Sequence, residues 1–309
     1  MKSKCLISEG VKPDQIAVLY RANFQSRVLE EAFLAYGVDY QMLGTKFFER
    51  KEVKDVVGYI KASLNEGSLS DFSRIINIPA RGIGKTTLQK ILMGKEEELP
   101  ASMQIKLNNF RKMLESFKGV LLHELPSVAI KHIIKTSGME DSYKTGLEED
   151  TERLENIMEL VTLATTYDIY PGEEGIEKFL TDVALTSDQD SLDGKKTGVK
   201  LMTVHSSKGL EFEYVFICGL EADLFPHSRM NQSKKTGEDA EEARRLIYVA
   251  ITRAGKKLYL THARVRTIFG TMEVNSPSEF LEDIPEKYTQ KESYEGVESS
   301  KAPLFSIDF

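Results

Sequence analysis

The α/β pattern of this chain is interrupted, and the interruption limits how the chain can fold more than any other feature. Residues 16–20, IAVLY, are a short run of β-formers that reads as a buried strand. A helix follows over RANFQSRVLEEAFLAYG. Leu29, Ala32, Phe33 and Tyr36 form its apolar stripe, Ser26 is a candidate N-cap, and Gly37 is a stop. Val38, Tyr40 and Met42 alternate as a strand does, and Val53, Val56, Val57 and Ile60 line one face of a second helix. Strand, helix, strand, helix is how a parallel α/β sheet begins. From about residue 67 to 197 the pattern is helical throughout, broken by Gly, Pro and acidic clusters, and it ends in a polar linker at 186–198. The α/β texture then returns: a strand at Val199, Leu201 and Thr203, the loop HSSKG, the strand YVFIC, a helix over 238–254 and the strand LYLTH. These elements predict one α/β domain, residues 1–66 and 198–285, split by a mainly α-helical insert at 67–197. A loosely ordered polar tail is expected at 286–309.

Composition narrows the class of protein. Of 309 residues, 41% are hydrophobic, enough to fill a core and exclude wholesale disorder. No run of eighteen apolar residues is present to span a bilayer, and MKSKCLISEG has no apolar signal region. Cys5 and Cys218 form no CxxC pair, which argues against a disulfide scaffold or structural zinc and fits a reducing cytoplasm. No spacing suggests a metal site. The net charge of −7 does not favour nucleic-acid binding, but a local basic patch can still act.

RGIGKTT at 81–87 imitates a phosphate-binding loop. Gly84-Lys85-Thr86 satisfies the end of GxxxxGK[ST], but the first glycine would have to be Pro79, which lacks the needed N–H. No apolar run ending in Asp follows. The better reading is a Gly-Ile-Gly hairpin leading into a helix. Gly82, Gly84 and the helix N-terminus would hold a DNA backbone phosphate, helped by Arg81 and Lys85. The competing reading is a plain interhelical turn that needs glycine dihedrals.

Two segments carry more. One is LYRANFQSRVLEEAFLAYGVDYQMLGTKFFERKEVKD, residues 19–55. The other is VKLMTVHSSKGLEFEYVFICGLEADLFPH, residues 199–227, followed by EEARRLIYVAITRAGKKLYLTHA, residues 241–263. In wording, order and spacing they resemble the carboxy-terminal half of UvrD/PcrA/Rep-type superfamily 1 DNA helicases. The likeness covers that family's motif IV near Arg21, ERKE at 49–52, motif V at 201–212 and motif VI at 241–254. INIPARGIGKTTL resembles the family's Gly-Ile-Gly hairpin.

The resemblance implies a second RecA-like domain with an inserted subdomain, part of an ATP-dependent 3′-to-5′ DNA helicase of repair or replication restart. Arg253 and Arg21 would be catalytic arginines facing the γ-phosphate, and Glu211 a nucleotide contact at the ribose. Thr203, His205 and, more weakly, Lys208 would contact single-stranded DNA. ATP and Mg²⁺ would be held mainly by an amino-terminal half in cis, whose Walker motifs are not among these residues, so this chain alone is expected to be inactive. Single-stranded and duplex DNA are the implied partners, with repair proteins possible and no membrane. The start of the chain, just before the motif IV strand, reads as a domain boundary. From the residues themselves, Arg253 falls on the stripe Leu246, Val249, Ala250, where a guanidinium must snorkel, pair or face a site. Arg21 ends a strand, where α/β sites form. For either arginine the competing reading is an ion pair with a nearby carboxylate. The rival functions are a non-catalytic DNA- or protein-binding module, the helicase part of a helicase–nuclease subunit, and a stand-alone P-loop enzyme.

Overall fold

A computed structural model describes residues 1–65, 67–192, 197–226 and 237–292. Its elements in chain order are α1 (Lys2–Ser8), β1 (Ile16–Tyr20), α2 (Ser26–Ala35), β2 (Tyr40–Met42), α3 (Lys51–Leu64), α4 (Leu69–Ile75) and α5 (Lys85–Leu92). Then come α6 (Ala101–His123), α7 (Pro126–Thr136), α8 (Met139–Ser142), α9 (Glu148–Ala164) and α10 (Glu173–Leu192). The chain continues through β3 (Val199–Thr203), β4 (Phe212–Ile217), α11 (Gly237–Ile251), β5 (Ala254–Leu260), β6 (Val265–Ile268) and β7 (Thr271–Val274).

The chain packs as two compact units. The first comprises Met1–Phe47, Asp190–Ile268 and Met272–Phe309; the second comprises Phe48–Gln189 and Phe269–Thr271. In the first unit five parallel strands lie in the order β2-β3-β1-β4-β5. Side chains alternate across a strand, so β1 serves two cores. Ile16, Val18 and Tyr20 join Leu29 and Phe33 of α2 on one face. Ala17 and Leu19 join Leu246, Ile247 and Ala250 of α11 on the other. A sheet covered on both faces needs unbroken apolar strands, which is why IAVLY reads as it does.

In the second unit α3 is the central helix. Val53, Val56, Tyr59 and Ile60 are fully buried, and the helix packs against α4, α6, α7 and α9. The sequence pattern divides the chain at 66/67 and 197/198, whereas the packing divides it after Phe47 and after Gln189. The apolar face of α3 explains the first difference, because the elements it packs against most extensively, α4, α6, α7 and α9, are helices of this unit.

Three local expectations are corrected. The polar segment from Thr186 onward continues as helix to Leu192, and 193–196 lie outside the described residues. Ser26 is the first residue of α2 and Gln25 its N-cap. Helix α11 ends at Ile251, three residues before the expected limit. Gly37 does end α2 in the left-handed region, at φ +63°. The tail from 293 onward lies outside the described residues.

Candidate functional site

The expected site residues of the first unit divide between two opposite edges of its sheet. At the carboxyl edge, Tyr20 lies beside Thr203 in the β1–β3 register, and Val204 N donates to Tyr20 O at 2.9 Å. Arg21 and His205 therefore emerge from neighbouring strand ends. Thr203 closes the turn that follows, its hydroxyl 3.0 Å from Ser206 Oγ and accepting Ser206 N at 3.3 Å. His205 and Lys208 are exposed, and Arg21 is half-buried. A side chain the sequence reading overlooked organises this edge: Gln25 Oε1 accepts Arg21 N at 3.1 Å and Ala22 N at 2.8 Å.

Arg253 and Glu211 lie at the amino edge. The turn after α11 brings Arg253 beside the strand entry at Phe212, whose N–H donates to Arg253 O at 2.9 Å. The guanidinium donates through Nη1 to Leu210 O at 2.8 Å, through Nε to Val249 O at 3.0 Å and through Nη2 to Thr252 Oγ1 at 3.0 Å. It pairs with no carboxylate among the described residues, so the ion-pair reading is not observed. Arg253 is not on the helical stripe either; it follows the helix in the turn leading to β5. Adjacent Glu211 is exposed, with no side-chain hydrogen bond or ion pair among the described residues. Arg244 and Arg245 form a solvated face, with ion pairs to Asp283 at 3.8 Å and Glu241 at 3.4 Å.

Arg21 and Arg253 are not brought together. Ile217 lies level with both Leu19 and Leu260. Arg21 lies beyond that level at one edge, and Arg253 precedes all of β5 at the other. At about 3.3 Å per residue this separates them by more than about 20 Å. Two extended arginines reaching toward each other cover only about 14 Å. The expectation that both face one γ-phosphate is therefore corrected: Arg21 belongs with Thr203 and His205.

The two edges are joined by Val204–Glu211, the eight residues between β3 and β4. Tyr20 lies beside Thr203 and Ile16 beside Tyr214, so this connection descends about six residue rises and crosses two strand spacings, a span of about 22 Å. It includes one 3₁₀ turn, His205–Ser207, which limits its reach to about 26 Å. There is little slack between the Thr203 end and the Glu211 end.

The Gly-Ile-Gly hairpin belongs to the second unit. Asn77 Oδ1 accepts Arg81 N at 2.7 Å and Ile83 N at 3.1 Å, pinning the turn. Gly82 needs its glycine: φ is +74°, and an added Cβ would lie 2.9 Å from Lys106 Nζ. Gly84 does not, being extended and open around its Cα. Lys85 is exposed at the start of α5. Arg81 contradicts its expected role. Nη1 donates to Ile78 O at 2.8 Å, Pro79 O at 3.1 Å and Ile75 O at 3.3 Å; Nη2 donates to Tyr59 Oη at 2.7 Å and Ser137 O at 2.9 Å. The guanidinium also stacks on Phe110, 5.1 Å from the ring centre. Burial pushes the Tyr59 phenol up to about 12, so it stays protonated and donates to Ile78 O. Arg81 holds the hairpin together and has little left to offer a phosphate.

Comparison with known proteins adds the family context. The family described as UvrD-like helicase C-terminal domain matches residues 2–265. The ATP-dependent DNA helicase PcrA of Staphylococcus aureus (strain NCTC 8325 / PS 47) is 38% identical over 307 residues, covering 92% of this chain and 41% of the relative. The protein of the same name from Bacillus subtilis (strain 168) is 38% identical over 298 residues, covering 89% of this chain and 40% of the relative. The chain thus spans about two fifths of the length of the curated relatives it matches.

Proposed function

The chain belongs to the UvrD-like helicase C-terminal domain family, and from that premise we propose that it forms one side of the motor of an ATP-dependent DNA helicase. The amino edge of its sheet, with Glu211 and Arg253, would face ATP held by a P-loop domain. The carboxyl edge, with Arg21, Thr203, His205 and Lys208, would face single-stranded DNA. The observation that carries this reading is the short connection Val204–Glu211. It has residues for the two ligands at its two ends and too little slack to absorb a displacement of either. Opening and closing of the nucleotide cleft would thereby be felt at the DNA edge, with movement in the 3′-to-5′ direction. The hairpin would meet duplex DNA through its exposed Lys85 and its backbone rather than through Arg81.

The amino edge suits a phosphate group. Arg253 is half-buried with no carboxylate partner among the described residues, and three neutral oxygens orient its planar fork. When bound, ATP supplies the phosphoryl group that is transferred to water. Arg253 would stabilise charge on that group, and Glu211 would contact the ribose. No group of three or more metal-ligating side chains is placed to hold an ion among the described residues. Magnesium would be held mainly by the P-loop domain. Repair or replication restart in the cytoplasm, with an amino-terminal half in cis and repair proteins as further partners, completes the proposal.

The test is an ATPase measurement with and without single-stranded DNA. The 309 residues contain no GxxxxGK[ST] motif. Arginines alone do not orient Mg-ATP. The isolated chain should show no DNA-stimulated turnover and should acquire it when joined to a P-loop half of the family. Robust turnover by the isolated chain would refute the division of labour, and so would a joined protein that stays inactive.

A further inference from the structure

We infer that Gln25 is a positioning residue, which sets the direction in which Arg21 leaves the carboxyl edge of the sheet. The inference rests on the reading above that this edge meets single-stranded DNA, and it adds a residue to which that reading gave no role. Beyond Tyr20 the sheet no longer supplies acceptors to β1, so the next two N–H groups need another partner. The Gln25 carboxamide is that partner. It is only 7% exposed, and its Oε1 accepts from Arg21 N at 3.1 Å and from Ala22 N at 2.8 Å. These two N–H groups lie on either side of the Arg21 Cα. Fixing both peptide planes fixes φ and ψ of Arg21, and with them the direction of its Cα–Cβ bond.

The carboxamide is itself held from the next strand. Gly219 follows β4 with φ +78°, and a Cβ there would lie 2.3 Å from Gln25 Nε2 and 3.0 Å from Leu224 Cδ2. The absent side chain of Gly219 thus makes the space that the amide occupies. Cys218 N donates to Leu19 O at 2.9 Å, so β4 and β1 are still paired where this contact begins. Gln25 also caps α2, and its own N–H returns to Ala22 O at 3.1 Å, so the turn and the side chain that braces it are one unit. Arg21 is therefore aimed by a lock between a glutamine and a glycine, across two strands. The lock fixes where the side chain starts, and its χ angles are ordered only on meeting a phosphate.

The test measures what Arg21 itself contributes to DNA binding in three backgrounds. The probe is a labelled oligothymidylate titrated with the 309-residue chain at several salt concentrations. The quantity read is the change in the slope of log K against log [salt] on Arg21→Ala. One phosphate contact on a single strand contributes about 0.7 to that slope. With Gln25 intact, Arg21→Ala should lower it by about 0.7. Gln25→Glu keeps both acceptor positions, and there most of the Arg21 contribution should persist; the new charge's own effect on DNA binding cancels in the comparison, while its attraction for Arg21 trims the difference. Gln25→Met keeps the length but removes the acceptor, and there the Arg21 contribution should fall close to zero while the chain still melts cooperatively, at a temperature lowered by the cost of two N–H groups left without an acceptor. A full Arg21 contribution in the Gln25→Met chain would overturn the inference. So would its loss in Gln25→Glu, or a Gln25→Met chain that does not fold, since both would make the amide a structural prop. If Arg21→Ala leaves the slope unchanged with Gln25 intact, it is the assignment of this edge to DNA that fails.

Discussion

Arg253→Ala, made in a full-length enzyme that carries this chain, should lower kcat by about 10³- to 10⁵-fold while the fold stays intact. The magnitude is that of an arginine delivered across a domain interface to a phosphoryl group in transfer. At about 1.4 kcal/mol per decade it corresponds to very roughly 4–7 kcal/mol of transition-state stabilisation. The phosphoryl oxygens present more charge to a fixed guanidinium as the bond to the leaving group breaks, so the loss should fall on kcat rather than on KM. Lysine should restore little, because a point charge on a flexible stem cannot use the three oriented contacts that hold the planar fork. The effect on stability should be far smaller. The bonds to Leu210 O and Thr252 Oγ1 are solvent-exposed, and an exposed hydrogen bond returns its partners to water at a net cost of about 1 kcal/mol or less. Steady-state kinetics and a thermal melt on one preparation separate the two effects. A variant that keeps kcat within a few-fold but melts early would make Arg253 a latch for the turn into β5 and nothing more.

The centre of the sheet was legible in the sequence because β1 is buried on both faces and carries an apolar residue at every position. IAVLY needs no partner to be recognised, and all five of its residues are buried. Three things were not legible. The hairpin of β6 and β7, linked by Phe269-Gly270, is short and largely exposed, so it has no buried face to leave a pattern. The division of the site between two edges depends on strand direction and register, and neither is written in motif wording. Arg21 and Arg253 both look like arginines at the end of an element, yet one follows a strand and the other precedes one. Gln25 escaped notice because a glutamine just before a helix looks like any polar cap. Its importance comes from Gly219, nearly two hundred residues later in the chain.

Arg81 and Lys85, four residues apart on one hairpin, should give opposite results when replaced. Arg81→Ala removes a guanidinium that makes five hydrogen bonds, to Ile75 O, Ile78 O, Pro79 O, Ser137 O and Tyr59 Oη. It also removes the cation over Phe110 and Tyr59. Ile75 and Tyr59 are fully buried, so water cannot fully replace these bonds, and each acceptor left without a donor costs about 1–3 kcal/mol. Ile75 O keeps the bond from Ile78 N and Ile78 O the bond from Tyr59 Oη, so the loss falls on Pro79 O, Ser137 O and Tyr59 Oη, and at the low end of that range it is about 3 kcal/mol. For a unit of this size that corresponds to a fall in melting temperature of about 6–12 °C. Arg81→Lys should recover only part of it, since three donors on a mobile stem cannot reach four carbonyls and a phenol. Lys85→Ala should leave the melting temperature within a degree or two, because its side chain is exposed at the start of α5. It should instead lower the salt slope of duplex binding by about 0.9, the share of one phosphate contact. Differential scanning calorimetry and salt-dependent binding on the two variants decide the matter. If Arg81→Ala melts normally and loses the slope, its hydrogen bonds do not hold the hairpin, and Arg81 contacts the DNA.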